Sequence, residues 1–245
     1  MIKTFMIVLG ILAGPVFSIT ADEILDKMEK NENAQTSKST VKQTVYNTDG
    51  SKNVSKLLNY SFNEGEKALI EYISPARIEG MKILTLNDGD DIWFYSPRTA
   101  RVRKIASHQK NQSVNGSDFS YEDLSTGDRR EDYDASLDGE KEIRDTDCYK
   151  VIMKAKNEDE TYSKIVFYVD KEKFIGIEGH FHDEFGELWK KLIMKDIEKI
   201  GKYWTPEYIE MKNVLKGSRT VMEMENIEYD IDLDESMFST RFLKR

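Results

Sequence analysis

Between residues 22 and 36 apolar side chains fall at helical spacing, with Ile24, Leu25 and Met28 set among Asp, Glu and Lys. That spacing predicts one short amphipathic helix, which needs a surface to lie against. From about residue 38 the period drops to two. Val41, Gln43 and Val45 alternate with Lys42 and Thr44, and Thr48-Asp49-Gly50-Ser51 follows as a turn, so a hairpin is predicted. The alternation recurs over Leu57 to Phe62, Ala68 to Ile73, Met81 to Leu86, Ile92 to Tyr95 and Arg101 to Ile105. Asn63-Glu64-Gly65, Ser74-Pro75, Asn87-Asp88-Gly89 and Ser96-Pro97 punctuate these runs. A second series follows residue 140: Cys148 to Ala155, Tyr162 to Val169, Phe174 to Phe181, Leu188 to Lys195, Tyr203 to Lys212 and Thr220 to Tyr229. Short strands without helical crossovers predict a mainly β chain, an antiparallel meander of about eleven or twelve strands.

The stretch between the two series, residues 107 to 139, is rich in Ser, Asn, Gly and Asp and poor in branched aliphatics. Within it Ser120 and Asp123 have the spacing of a helix-start box, so a short helix or helical turn is expected there. A long irregular insert in a β-protein commonly packs as a cover or carries function.

The N-terminus changes the picture from fold to location. Lys3 precedes an apolar stretch from Phe5 to Phe17, and the small residues Ser18, Thr20 and Ala21 precede an acidic run beginning at Asp22. A basic start, a short greasy middle and a small-residue exit form the pattern of a secretory signal. Residues 1–21 are therefore expected to be a signal peptide and residues 22–245 a single mature domain, soluble in the periplasm. The only cysteine, Cys148, lies deep in the chain, so no lipid-anchored N-terminus is expected, and Cys148 reads as a small buried hydrophobe. A formal net charge of −9 argues against a nucleic-acid partner.

Candidate chemistry is sparse. Asp90-Asp91 and Glu122-Asp123 are adjacent pairs, and neighbours on a strand point to opposite faces, so neither presents two acids to one substrate bond. His180 and His182 share a strand face, but the only other histidine is His108, and a zinc site wants three or four ligands. Phosphate-loop, dinucleotide and nucleophile-elbow patterns are lacking. Hence no catalytic residue, metal or cofactor is expected, and the chain reads as a binding protein. Two features stand out. Trp93 and Tyr95 share one face of their strand while Ile92 and Phe94 share the other, so both faces are bulky and apolar. Arg98, Arg101, Arg103 and Lys104 form a basic segment in an acidic chain, with Arg101 and Arg103 on one face.

Four blocks carry a resemblance: Ile73-Ser74-Pro75 with Gly80; Asp91-Ile92-Trp93-Phe94-Tyr95-Ser96-Pro97; Arg101-Val102-Arg103-Lys104-Ile105; and Gly116-Ser117-Asp118-Phe119-Ser120-Tyr121-Glu122-Asp123-Leu124. Together they resemble the outer-membrane lipoprotein-sorting protein family, related to the LolA and LolB lipoprotein carriers. The likeness extends more loosely through Phe185-Gly186-Glu187-Leu188 to the closing Met237-Phe238-Ser239-Thr240-Arg241-Phe242-Leu243. It implies an incomplete, half-open antiparallel β-barrel with a hydrophobic interior, closed by short helices acting as a lid. It also implies that lipoprotein or lipid acyl chains enter the interior and that an arginine helps hold the lid, with Arg101 and Arg103 as candidates. Trp93, Phe94, Tyr95, Arg101, Arg103, Phe119, Tyr121 and Leu124 are the expected ligand-binding residues. The helix after Asp22 and the segment Ser117 to Leu124 are expected to cover the open side. The implied function is a periplasmic carrier working between an inner-membrane transporter and an outer-membrane acceptor; the alternative is an RseB-like module that senses a lipoprotein without transporting it.

Overall fold

The computed structural model describes residues 19–32, 34–124 and 129–245. Nearly all of the expected signal peptide, residues 1–18, lies outside them. One helix, α1 (Ala21–Glu32), precedes thirteen strands: β1 (Thr36–Tyr46), β2 (Lys52–Phe62), β3 (Lys67–Ser74), β4 (Lys82–Leu86), β5 (Asp91–Ser96), β6 (Arg101–Lys104), β7 (Tyr133–Ile143), β8 (Thr146–Ala155), β9 (Lys164–Asp170), β10 (Gly176–His182), β11 (Leu188–Ile200), β12 (Tyr203–Asn213) and β13 (Ser218–Tyr229). They form a single antiparallel sheet in the order β6-β5-β4-β3-β2-β1-β13-β12-β11-β10-β9-β8-β7. The sheet is a half-open barrel with one more strand than the meander pattern suggested. The additional strand is β7, whose first half alternates Tyr133, Ala135 and Leu137 with Asp134, Ser136 and Asp138. A register shift between Leu137 and Glu140 then breaks the period, which is why the pattern reads as part of an irregular insert.

Strand order dictates what covers the sheet. Strands β6 and β7 are consecutive in the chain yet lie at opposite edges. The described part of the connection after β6, residues 105–124, crosses the inner face of the sheet. That inner face carries two apolar clusters. One joins Ile24 and Met28 of α1 to Val151, Met153, Ile165, Val169 and Met211. The other joins Val41, Leu57, Tyr72, Ile83 and Ile92 to Ile105, Val114 and Tyr121 of the crossing segment. Burying each such side chain is worth about 1.5–3 kcal/mol, so the amphipathic face of α1 and the crossing segment are held chiefly by what they cover.

The outer face of β2 to β6 is apolar as well. The C-terminal residues after β13 cover it, with Phe238 and Leu243 packed on Leu69, Leu84, Trp93, Tyr95 and Val102. This explains the two bulky faces of β5. The conspicuous turn residues also have local reasons. Gly80 takes φ +77 in the β3–β4 turn, and a Cβ there would touch Pro97 of the β5–β6 turn.

Candidate functional site

The crossing segment folds back on itself before it meets the sheet. Gly116, with φ +74, and Asn115, with φ 50, turn the chain through the left-handed region. The reversal lets Val114 donate its N–H to the Phe119 carbonyl at 2.9 Å and Tyr121 donate to Gln112 at 3.2 Å. From there Asp118, Ser120 and Asp123 make the polar ties of the Gly116 to Leu124 block. The Asp118 amide donates to Thr220 Oγ1 at 2.8 Å, and Thr220 Oγ1 donates back to Asp118 Oδ2 at 2.8 Å. Ser218 Oγ donates to the other carboxylate oxygen of Asp118. All three residues are buried. Asp118 therefore ties the crossing segment to β13.

The expected helix-start box is present. Ser120 donates its amide and its hydroxyl to Asp123 Oδ2, both at 2.8 Å, and Asp123 donates its amide back to Ser120 Oγ at 3.3 Å. A single 3-10 turn, Glu122–Leu124, follows. The same carboxylate makes a second tie, to the sheet. Lys190 Nζ of β11 lies 2.8 Å from Asp123 Oδ2 and donates to Tyr162 Oη at 2.9 Å, while Tyr162 donates to Asp123 Oδ1 at 2.7 Å. The Lys190 and Asp123 side chains are only 3% and 4% exposed, so the pair is shielded from water and salt. Burial pushes the Asp123 carboxyl up, but the Lys190 charge and the hydrogen bonds from Lys190, the Ser120 amide and Tyr162 outweigh it and hold the group below the ordinary carboxylate range. Burial, and then the Asp123 charge, raise the Tyr162 hydroxyl, which stays protonated and donating.

Under this anchored cover lie two cavities. One of about 140 Å³ is lined by Val41, Leu57, Ile70, Val114, Leu124 and Met222. The other, of about 160 Å³, is lined by Met28, Phe167, Phe181, Leu192, Met194 and Met211. Phe119 lines both. It stands between Asp118, tied to β13, and the Ser120 and Asp123 box, tied to β11. The linings are apolar except at a few points, among them Gln43 and Asn59 in the first cavity and Asp123 and Arg129 in the second. Such a hollow with a few polar groups suits an apolar ligand with a polar end. A larger groove of about 580 Å³ is lined by Asp26, Glu29, Lys30, Gln35, Glu64, Lys202 and Tyr203, so its side chains are charged or polar apart from the tyrosine ring.

The expected site residues fall into three groups. Phe94, Phe119, Tyr121 and Leu124 belong to the inner-face clusters. Trp93 and Tyr95 pack on the outer face against the C-terminal residues. Arg101 and Arg103 are exposed on edge strand β6, where the Arg103 guanidinium stands 5.0 Å from the Phe94 ring centroid. The buried cation that meets the cover is Lys190. It shares a strand face with Leu192 and Met194, so a lysine on an otherwise apolar face was the available signal. Asp118, with its partners Ser218 and Thr220, gives no comparable signal, because short polar residues are common at strand starts. Among the described residues no group of three or more metal-ligating side chains comes together. None of their helices is long and apolar enough to cross a membrane.

Comparison with known proteins bears on this geometry. A family model described as "Uncharacterized protein" matches residues 64–245. Comparison with curated protein sequences returns no match. Among solved structures, an outer-membrane lipoprotein-sorting protein domain from Vibrio parahaemolyticus is 24% identical, with a TM-score of 0.85 over 91% of this chain and 97% of that one. A DUF1329 family protein from Desulfovibrio piger is 27% identical, with a TM-score of 0.84 over 90% and 96%. A LolA superfamily protein from Nitrosomonas europaea is 21% identical, with a TM-score of 0.76 over 92% and 100%. The chain belongs to the family matched over residues 64–245, and its fold is that of the LolA-like outer-membrane lipoprotein-sorting proteins.

Proposed function

We propose that this protein is an exported periplasmic carrier that binds the acyl chains of a lipoprotein or lipid between its sheet and the crossing segment, for transfer towards the outer membrane. The observation that carries the reading is the pair of apolar cavities, both lined by Phe119, beneath a cover tied down by buried polar contacts. Volume decides what the closed form can hold. A cavity of about 150 Å³ lined by aliphatic and aromatic side chains takes a molecule the size of benzene. Each cavity here is of that order. A long acyl chain therefore requires the Phe119 ring to move and the segment around it to lift, joining the two spaces.

The driving force is adequate. At about 0.8 kcal/mol per methylene, a long chain gains on the order of ten kcal/mol on leaving water. Closing the cover over an empty hollow keeps that apolar surface from solvent when no cargo is present. In this scheme an inner-membrane transporter supplies the cargo and an acceptor at the outer membrane removes it. Under the same reading Arg129, which lines the second cavity, meets a polar end of the cargo, and no side chain acts as an acid, base or nucleophile. Native mass spectrometry with lipid extraction, on protein purified from its own periplasm, tests the proposal: co-purifying acylated cargo supports it. Recovery of none, together with no binding of long-chain fluorescent lipids, defeats it.

A further inference from the structure

The antiparallel order sends the β1–β2, β3–β4, β5–β6, β8–β9, β10–β11 and β12–β13 turns to one end of the sheet. Among the described residues, the exposed large hydrophobics are Val54, Ile73, Phe185, Val214 and Leu215. All five lie at that end. Val54 is near the start of β2, Ile73 near the end of β3, Phe185 in the β10–β11 turn, and Val214 and Leu215 in the β12–β13 turn. The turns are neighbours: the Val214 amide donates to the Trp189 carbonyl at 2.8 Å, and a Cβ on Gly217 would lie 3.9 Å from Thr48 of the β1–β2 turn. Nothing in the fold requires Leu215 to be 62% exposed at a turn tip.

Charge at this end is also out of character. Lys52, Arg77, Arg98, Arg101 and Lys216 are all exposed along the arc from the β12–β13 turn to the β5–β6 turn, against Asp49 and Glu79. The whole chain carries −9. A basic arc around protruding aliphatic side chains, on an acidic protein, is the arrangement that an anionic lipid surface attracts and then anchors. Phe185 sits beyond this arc, beside Asp183, Glu184 and Glu187, and is not part of it.

We infer that this end of the sheet is a membrane-docking surface, with Val214 and Leu215 entering the interface of an anionic bilayer while Lys52, Arg77, Arg98, Arg101 and Lys216 meet its headgroups. The surface is separate from the hollow under the cover and does not depend on what the hollow holds. The attraction acts over about 10 Å at moderate salt and is short-lived at high salt, as a reversible contact for a soluble protein should be.

Flotation of the protein with cargo-free vesicles tests the inference. Vesicles of phosphatidylcholine mixed with phosphatidylglycerol should carry up about tenfold more protein than phosphatidylcholine alone, and added salt should remove most of the difference. Val214→Asp with Leu215→Asp, and separately Lys52→Glu with Lys216→Glu, should each reduce flotation about tenfold, with unchanged circular dichroism and acyl-probe binding. Equal flotation with both lipids overturns the inference, as does flotation that these variants leave intact. Retention only by membranes that contain protein, with none by lipid alone, overturns it too.

Discussion

Replacing Lys190 with Met removes the cation from the Asp123 tie and keeps the length of the side chain. Both partners are almost fully buried, so the interaction is not diluted by solvent. Removing one member of a buried ion pair typically costs about 3–5 kcal/mol, because a charge is left without its partner. The lower end applies here. Asp123 keeps the Ser120 amide, the Ser120 hydroxyl and the Tyr162 hydroxyl as donors, and it can take up a proton. A loss of about 3 kcal/mol corresponds to roughly a hundredfold or more in the equilibrium between anchored and lifted states. Amide hydrogen exchange reads this directly. The exchange of residues 112–124 should accelerate about a hundredfold in Lys190→Met, while exchange in β8 to β10 changes far less. The double variant Lys190→Met with Asp123→Leu should be less damaged than the sum of the two single variants, because neither charge is stranded. Equal acceleration throughout the sheet, or additive effects in the double variant, would refute the idea that these residues form a local tie.

Other consequences follow from the same geometry. Phe119→Ala should merge the two cavities, cost about 3–5 kcal/mol in urea unfolding, and increase affinity for short apolar probes such as aromatic hydrocarbons; unchanged probe binding would contradict its place in both linings. The Asp123 pKa is lowered in the fold, so the stability it contributes is fully present above the unfolded value of about 3.9 and is lost as pH falls through the folded value. Accelerated exchange of residues 112–124 is thus expected only below about pH 4, and a transition near neutrality would have to come from another group. Leu243→Ala, under the outer face, should cost about 2–5 kcal/mol in global stability without changing the affinity of a long-chain acyl probe.

Much of the fold was legible because apolar residues recur at strand spacing between clear turn residues, even though β3 to β5 and β8 to β9 bury apolar side chains on both faces. β1, β3 and β8 to β13 announce themselves through inward apolar residues, and α1 through Ile24, Leu25 and Met28. β7 was hidden because its apolar alternation breaks after Leu137 and the five residues from Asp138 to Glu142 are polar or glycine and exposed at the sheet edge. The cover was legible at one point, the Ser120 and Asp123 box, whose contacts are local in sequence. Its other ties were not, because Asp118 reaches Thr220 and Asp123 reaches Lys190 across long loops that no local pattern encodes. The two faces of β5 show the same limit. Bulk at Trp93, Phe94 and Tyr95 says that both faces are covered, but only the path of the C-terminal residues tells which face is the outer one.

The central claim is that hydrocarbon enters between the inner face and the crossing segment. Photocrosslinking with a long-chain fatty-acyl probe that carries a diazirine at its tail, followed by peptide mapping, tests this most directly. Adducts should fall on peptides holding residues 112–124 and on those holding Ile209, Met211 or Met222, and should be suppressed by unlabelled fatty acid. Adducts confined to the outer face around Trp93, Tyr95 and Phe238, or none that competitor removes, would contradict the account.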